Sequence, residues 1–83
     1  MTPTQETIRQ TLAPMALAPL PDDEEVSLFE AGVLDSFGLL EAIARLETAF
    51  GVKVPDADLV PRRFETLGKI ERYFESRRSV AAG

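Results

Sequence analysis

Leu39, Ile43, Leu46 and Phe50 recur at i, i+4, i+7 and i+11, and no other feature restricts the fold as much. Such a stripe lies along one side of an α-helix and must be covered by other elements to be stable. Asp35 stands where the helix needs an N-cap and Gly51 where it needs a C-cap, so the spacing predicts a helix from Ser36 to Phe50. A chain of 83 residues has room for about two more short helices to cover that stripe.

Both are legible. Ile8, Leu12 and Met15 form a first stripe, on a helix that starts near Pro3 or Thr4. Pro14 weakens its last turn and Pro19 and Pro21 forbid continuation, so it ends between Ala13 and Ala18. The last helix starts at Thr66, a plausible N-cap, with Phe64 packing just before it. Leu67, Ile70 and Phe74 are its seam, Tyr73 lies at the edge, and Gly68 weakens the first turn. Beyond Ser76 the chain reads as a flexible C-terminal tail, which leaves an ordered core of about residues 4–76.

The connections differ in length. Residues 19–34 form a long first loop that needs apolar anchors to stay ordered: Val26, Leu28, Phe29, Val33 and Leu34, with Phe29 as the large plug. Gly32 marks a turn with positive φ. Val52-Lys53-Val54-Pro55 is an extended link with no strand partner. Asp56 to Val60 make one short helical turn that Pro61 stops, and Arg62 and Arg63 lie on the surface. The expectation is a single all-α domain over 1–83: three main helices, one short helix and a long first loop.

Composition excludes several chemistries. The chain has neither cysteine nor histidine, so a histidine-based triad, thiolate catalysis, a disulfide framework and a Cys/His zinc site are all ruled out. Asp22-Asp23-Glu24-Glu25 places carboxylates side by side, without the spacing of a calcium loop, and no metal site is expected. The formal charge is −5, with eleven acids and three bases in residues 1–60 and six bases and three acids after them. The acidic part repels nucleic acid and steers basic protein surfaces towards the first loop and the start of the central helix. The longest uncharged stretch, Gln10 to Pro21, is broken by prolines and too short to span a membrane. With no basic leader ahead of a long apolar core, a cytoplasmic location is expected.

Ser36 is the candidate site. It lies in the first turn of the central helix, beside unpaired N–H groups and the positive end of the helix dipole. A phosphate ester there is stabilised without any lysine. Asp-Ser is also a common plain helix start, so the dipeptide alone leaves two readings: a cap, or an anchor for a phosphodiester. Phe37 and Leu40 lie off the seam and either complete the core end or face a partner. Gly38 costs about 1 kcal/mol against alanine inside a helix. Its role is read as keeping the surface low near Ser36, so that Gly38→Ala stabilises the fold.

Phe29-Glu30-Ala31-Gly32-Val33-Leu34-Asp35-Ser36-Phe37 resembles the attachment motif of acyl and peptidyl carrier proteins. The likeness extends from about Ile8 to Phe74, through Phe50-Gly51-Val52-Lys53-Val54, the acidic turn and Phe64…Leu67…Ile70…Tyr73. It implies an acyl-carrier-protein-like bundle with no catalytic activity of its own. It implies a 4′-phosphopantetheine arm on Ser36, whose thiol carries cargo as a thioester. Asp35 then positions Ser36 and contributes to binding the magnesium that the arm-installing transferase uses. Phe37, Leu40 and Glu41 then belong to the partner-binding face. The implied partners are a phosphopantetheinyl transferase, an ATP-dependent aminoacyl or acyl ligase, and a downstream acyl-transferring enzyme. A monomer suits a serine that must visit several enzymes.

Fatty-acid carriers usually place an acidic residue after Asp-Ser-Leu and carry a densely acidic second helix. Here the motif is Asp35-Ser36-Phe37-Gly38, and the helix holds only Glu41 and Glu47 as acids, both expected to face outward. This resembles stand-alone aminoacyl or D-alanyl carriers more closely, with fatty-acyl or polyketide cargo as the alternative. From another class, an unmodified small protein-interaction domain also fits the residues. A serine hydrolase does not, for want of histidine, a Gly-rich oxyanion loop and length.

Overall fold

In the computed structural model, the backbone is described for residues 2–82 and side chains for residues 2–77. Three α-helices carry the fold: α1 (Pro3–Leu12), α2 (Ser36–Phe50) and α3 (Leu67–Ala82). Single 3-10 turns at Ala13–Met15, Asp56–Asp58 and Pro61–Arg63 complete it. The one short helix expected after Pro55 is thus two separate 3-10 turns, divided where Pro61 resets the backbone. Among the described residues the only strand-like pairing is an isolated antiparallel bridge between Ser27 and Thr66. No helix there is long and apolar enough to cross a membrane. The backbone of α3 stays helical past Ser76; most of the expected flexible tail, from residue 78 on, lies outside the residues whose side chains are described.

The three stripes meet in one core. Ile8 and Leu12 from α1, Leu39, Ile43 and Leu46 from α2, and Leu67, Ile70 and Phe74 from α3 are all buried. Phe50 is half-buried and stacks on Phe74, with ring centroids 5.1 Å apart. Each helix begins on a side-chain cap. Thr2 accepts from the Gln5 N–H at 3.1 Å, Asp35 from Gly38 at 2.7 Å and Thr66 from Lys69 at 3.0 Å. Gly51 closes α2 with φ 66°, a left-handed conformation that suits glycine.

α1 is fastened to α3 by a polar seam. Buried Gln5 donates to the Leu67 carbonyl at 3.3 Å and to Glu71 Oε1 at 2.8 Å, and Thr2 donates to Glu71 Oε2 at 2.7 Å. The hydrogen bonds from Gln5, then Thr2, hold the Glu71 carboxyl below its ordinary pKa.

The first loop is ordered by its contacts. Leu28 donates its N–H to the Glu65 carbonyl at 2.7 Å, and its own carbonyl accepts from Val33 at 2.9 Å and Leu34 at 3.3 Å. That double role turns the Leu28 side chain fully inward. Leu28, not Phe29, is therefore the plug; Phe29 is half-buried against the core, and Val26, expected as an anchor, is exposed. Gly32 makes the return with φ 74°. The acidic run lies against the start of α3, where Gly68 donates to the Glu24 carbonyl at 2.9 Å and Arg72 stands 3.7 Å from Glu25. Through Leu28 and Glu65, this loop brings the start of α2 and the start of α3 to one end of the bundle.

The second connection is anchored at its ends. Val54 is buried and its N–H is taken by Glu47 Oε2 at 2.6 Å. Glu47, expected to face outward, is therefore half-buried, because the turn after Gly51 leaves that N–H in need of an acceptor. Phe64 is fully buried at the other end, edge-on to the Tyr73 ring at 4.9 Å. Between them, the backbone hydrogen bonds of the 3-10 turns are local. Tyr73 holds the first turn by donating its hydroxyl to Asp58 Oδ2 at 2.8 Å, and Lys69 holds the second through the Arg62 carbonyl at 3.1 Å. Burial, then the Asp58 hydrogen bond, pushes the Tyr73 phenol up to about 12.

Candidate functional site

At the start of α2, Asp35 leaves the extended backbone (φ −106°, ψ −175°) and turns its carboxylate back over the helix end. Oδ1 takes the Gly38 N–H, and the Asp35 carbonyl takes the Leu39 N–H at 2.9 Å. The N–H groups of Ser36 and Phe37 keep no protein partner among the described residues. Ser36 is exposed at this open end. An oxygen-rich group joined to Ser36 Oγ would lie at the positive pole of a helix of 15 residues, near two unused donors.

Asp35, Ser36, Phe37, Leu40 and Glu41 fall together on this first turn and a half, and all are exposed. Phe37 is 84% exposed and Leu40 52%, so neither completes the core. Leu39, between them, is buried and holds the helix down. Glu41 faces Arg45 one turn on at 3.8 Å, a surface pair of small energetic value.

Besides the clearance expected of it, Gly38 has a role in the cap. A Cβ at Gly38 would lie 3.1 Å from Asp35 Oδ1, tighter than ordinary contact. The missing Cβ lets the capping carboxylate close over the helix end. The stabilisation expected of Gly38→Ala is thus set against a disturbed cap.

Arg62 and Arg63 are exposed, and Arg63 stands 3.7 Å from Asp58. Among the described residues no group of three or more His, Cys, Asp or Glu side chains is placed to hold a metal ion. Two positions carry more than their local sequence suggests. Gly68 is buried at the start of α3, where a Cβ would meet Glu25 Oε1 at 2.8 Å and the Glu24 carbonyl at 3.2 Å; only the fold places that loop there. Leu17 is a leucine left 71% exposed in the first connection; its one signal in the sequence is a lone large apolar residue between Ala16 and Ala18.

The fold is a small helical bundle with an uncovered serine at the open start of its central helix. The chain belongs to the phosphopantetheine attachment site family, whose model matches residues 6–74. Members are non-catalytic carriers that work through partner enzymes. Among curated relatives, the D-alanyl carrier protein of Streptococcus equi subsp. zooepidemicus is 34% identical over 67 residues, 81% of this chain and 85% of its own length. The D-alanyl carrier protein of Streptococcus pyogenes serotype M5 is 33% identical over 66 residues, 80% of this chain and 84% of its own length. That of Streptococcus uberis is 43% identical over 49 residues, 59% of this chain and 62% of its own length.

Proposed function

We propose that the chain is a single carrier domain that holds an aminoacyl or small acyl group as a thioester on a 4′-phosphopantetheine arm joined to Ser36. The observation that carries this is the open start of α2: Ser36 exposed, Asp35 spent on the Gly38 N–H, and the two N–H groups ahead of it unused. When bound, the arm supplies the thiol that the chain itself lacks. Ser36 Oγ forms the phosphodiester with the pantetheine phosphate of coenzyme A, as the bond to adenosine 3′,5′-bisphosphate breaks and the hydroxyl proton leaves. Asp35 holds the helix end in shape through Oδ1, and its carboxylate would contribute a ligand to the magnesium that such a transferase uses.

The preference for an aminoacyl cargo rests on three supports. The three relatives named above are D-alanyl carriers. Asp35-Ser36-Phe37-Gly38 departs from the fatty-acid pattern. Of the two acids on α2, Glu47 is turned to the Val54 N–H, leaving Glu41 alone on the outer face. The core is filled by its own side chains, Phe64, Phe74, Leu46 and Leu28 among them, which suits a small cargo held outside. Partners are a phosphopantetheinyl transferase, an ATP-dependent ligase and a downstream acyl-transferring enzyme, met by a monomer in the cytoplasm, where coenzyme A and ATP are supplied.

The test is intact mass after incubation with a broad-specificity phosphopantetheinyl transferase and coenzyme A. A phosphopantetheine-sized gain is expected in the wild type and none in Ser36→Ala. The holo protein is then offered to a D-alanine-activating ligase with ATP, and a further gain of one alanyl group is expected. No first gain on a folded chain makes it an unmodified interaction domain. A first gain with acylation only by fatty-acyl or polyketide enzymes moves the cargo to the alternative class.

A further inference from the structure

Among the described residues, four large apolar side chains are exposed: Leu17, Val26, Phe37 and Leu40. Phe37 and Leu40 flank Ser36 on α2. Leu17 is far away in sequence, yet its N–H donates to the Val33 carbonyl at 2.9 Å. That bond fixes its backbone beside the segment that feeds α2, three residues before Ser36. Ala16 and Ala18 on either side are half-buried and packed against the core. Leu17 is therefore the outward residue of an in-out-in sequence, held on the surface by its neighbours. A lone exposed leucine needs no explanation, but one whose backbone is bonded three residues before an open helix start, which carries two further exposed apolar residues, does.

The stretch of chain that carries these residues is acidic. Between Arg9 and Arg45 it has no basic residue and seven acids, of which Glu25 and Glu41 stand beside Arg72 and Arg45 while Asp22, Asp23, Glu24, Glu30 and Asp35 have no ion pair among the described residues. A surface with apolar anchors and an acidic rim fits a partner with an apolar socket rimmed by Lys or Arg. Resting on the proposed role of Ser36, we infer that this partner is the phosphopantetheinyl transferase and that Leu17 is a third anchor for it. Enzymes that act on the thiol work at the end of the arm. The transferase must bring Ser36 Oγ itself to its reacting atoms, so it covers the surface immediately around the serine. Leu17 then contributes to binding and leaves the chemical step alone.

The experiment is steady-state pantetheinylation of the apo protein by a broad-specificity transferase, followed by intact mass, beside thermal unfolding of each variant. Leu17→Asp and Leu17→Ser raise KM about fivefold or more, with kcat within about twofold and an unchanged Tm, while Leu17→Met behaves as wild type. Wild-type KM in both Leu17→Asp and Leu17→Ser overturns the role of Leu17 and leaves Ser36 as the attachment residue. A fall in kcat or Tm matching the loss of turnover also overturns it, as the effect is then structural. A wild type that gains no mass overturns the carrier reading and this surface together.

Discussion

The starts of α2 and α3 are built to one local plan and end in opposite states. Each has a side-chain cap, Asp35 or Thr66, that takes the N–H three residues on. Each has a glycine in the first turn, Gly38 or Gly68. Both lie at the same end of the bundle, joined through Leu28. Around α3 the start is packed under other segments: Phe64, Thr66, Leu67 and Gly68 are buried, and the Gly68 N–H is taken by the Glu24 carbonyl. Around α2, Asp35, Ser36, Phe37 and Leu40 are open. The capping chemistry is shared, so what makes a helix start available for modification is the absence of tertiary cover.

The largest expected contrast is between the aromatic residues. Phe64→Ala empties a fully buried site and should cost about 3–5 kcal/mol, whereas Phe37→Ala should stay within about 0.5 kcal/mol. Urea unfolding of both variants checks this; similar losses would break the contrast.

The glycines should separate next. In Gly68→Ala the new Cβ meets the Glu24 carbonyl at 3.2 Å, on backbone that the Gly68 N–H itself holds. A net loss of about 1 kcal/mol is expected, after the gain in helix propensity is counted. In Gly38→Ala the neighbour is the Asp35 carboxylate, an exposed side chain that can give, and the net change should lie within about 0.5 kcal/mol. Paired Tm measurements decide the order.

The caps should tie in stability and part in function. Asp35→Ala and Thr66→Ala should each cost about 1 kcal/mol. Only Asp35→Ala should also slow pantetheinylation, measured by the rate of mass gain on folded protein. Equal slowing in both would make the effect one of stability alone.

The smallest effects concern pH. The Tyr73 phenol is raised to about 12, so its contribution is fully present below pH 10, the ordinary tyrosine value, and is lost as pH rises from 10 to 12. Tyr73→Phe should lack that component, visible as a shallower fall of Tm over the same range. At the acid side, the lowered Glu71 contributes stability above its unfolded pKa, lost as pH falls through the folded one. Glu71→Gln should flatten the decline of Tm below pH 4.5, the ordinary glutamate value.

Much of the fold could be read from residue order. The α2 limits, Asp35 and Gly51 as its ends, the seams of all three helices, the Thr66 cap and the positive φ at Gly32 all come from local spacing. Periodicity and capping are short-range, so a linear reading reaches them. The misses share a different cause. Leu28 rather than Phe29 fills the core because a bond to Glu65, distant in sequence, sets the direction of the loop. Glu47 turns inward because Val54 needs an acceptor there, and Gly68 matters because Glu24 and Glu25 lie on it.

The candidate site divides along the same line. Residue order by itself determined Asp35-Ser36 at the head of an amphipathic helix, in a chain without histidine or cysteine. It left open whether Phe37 and Leu40 face the core and said nothing of Leu17. Only the tertiary structure decided that Phe37 and Leu40 stay uncovered and that Leu17 is tied to Val33, three residues before Ser36. Helix starts are written in neighbouring residues, but exposure depends on which distant segments come to rest on them.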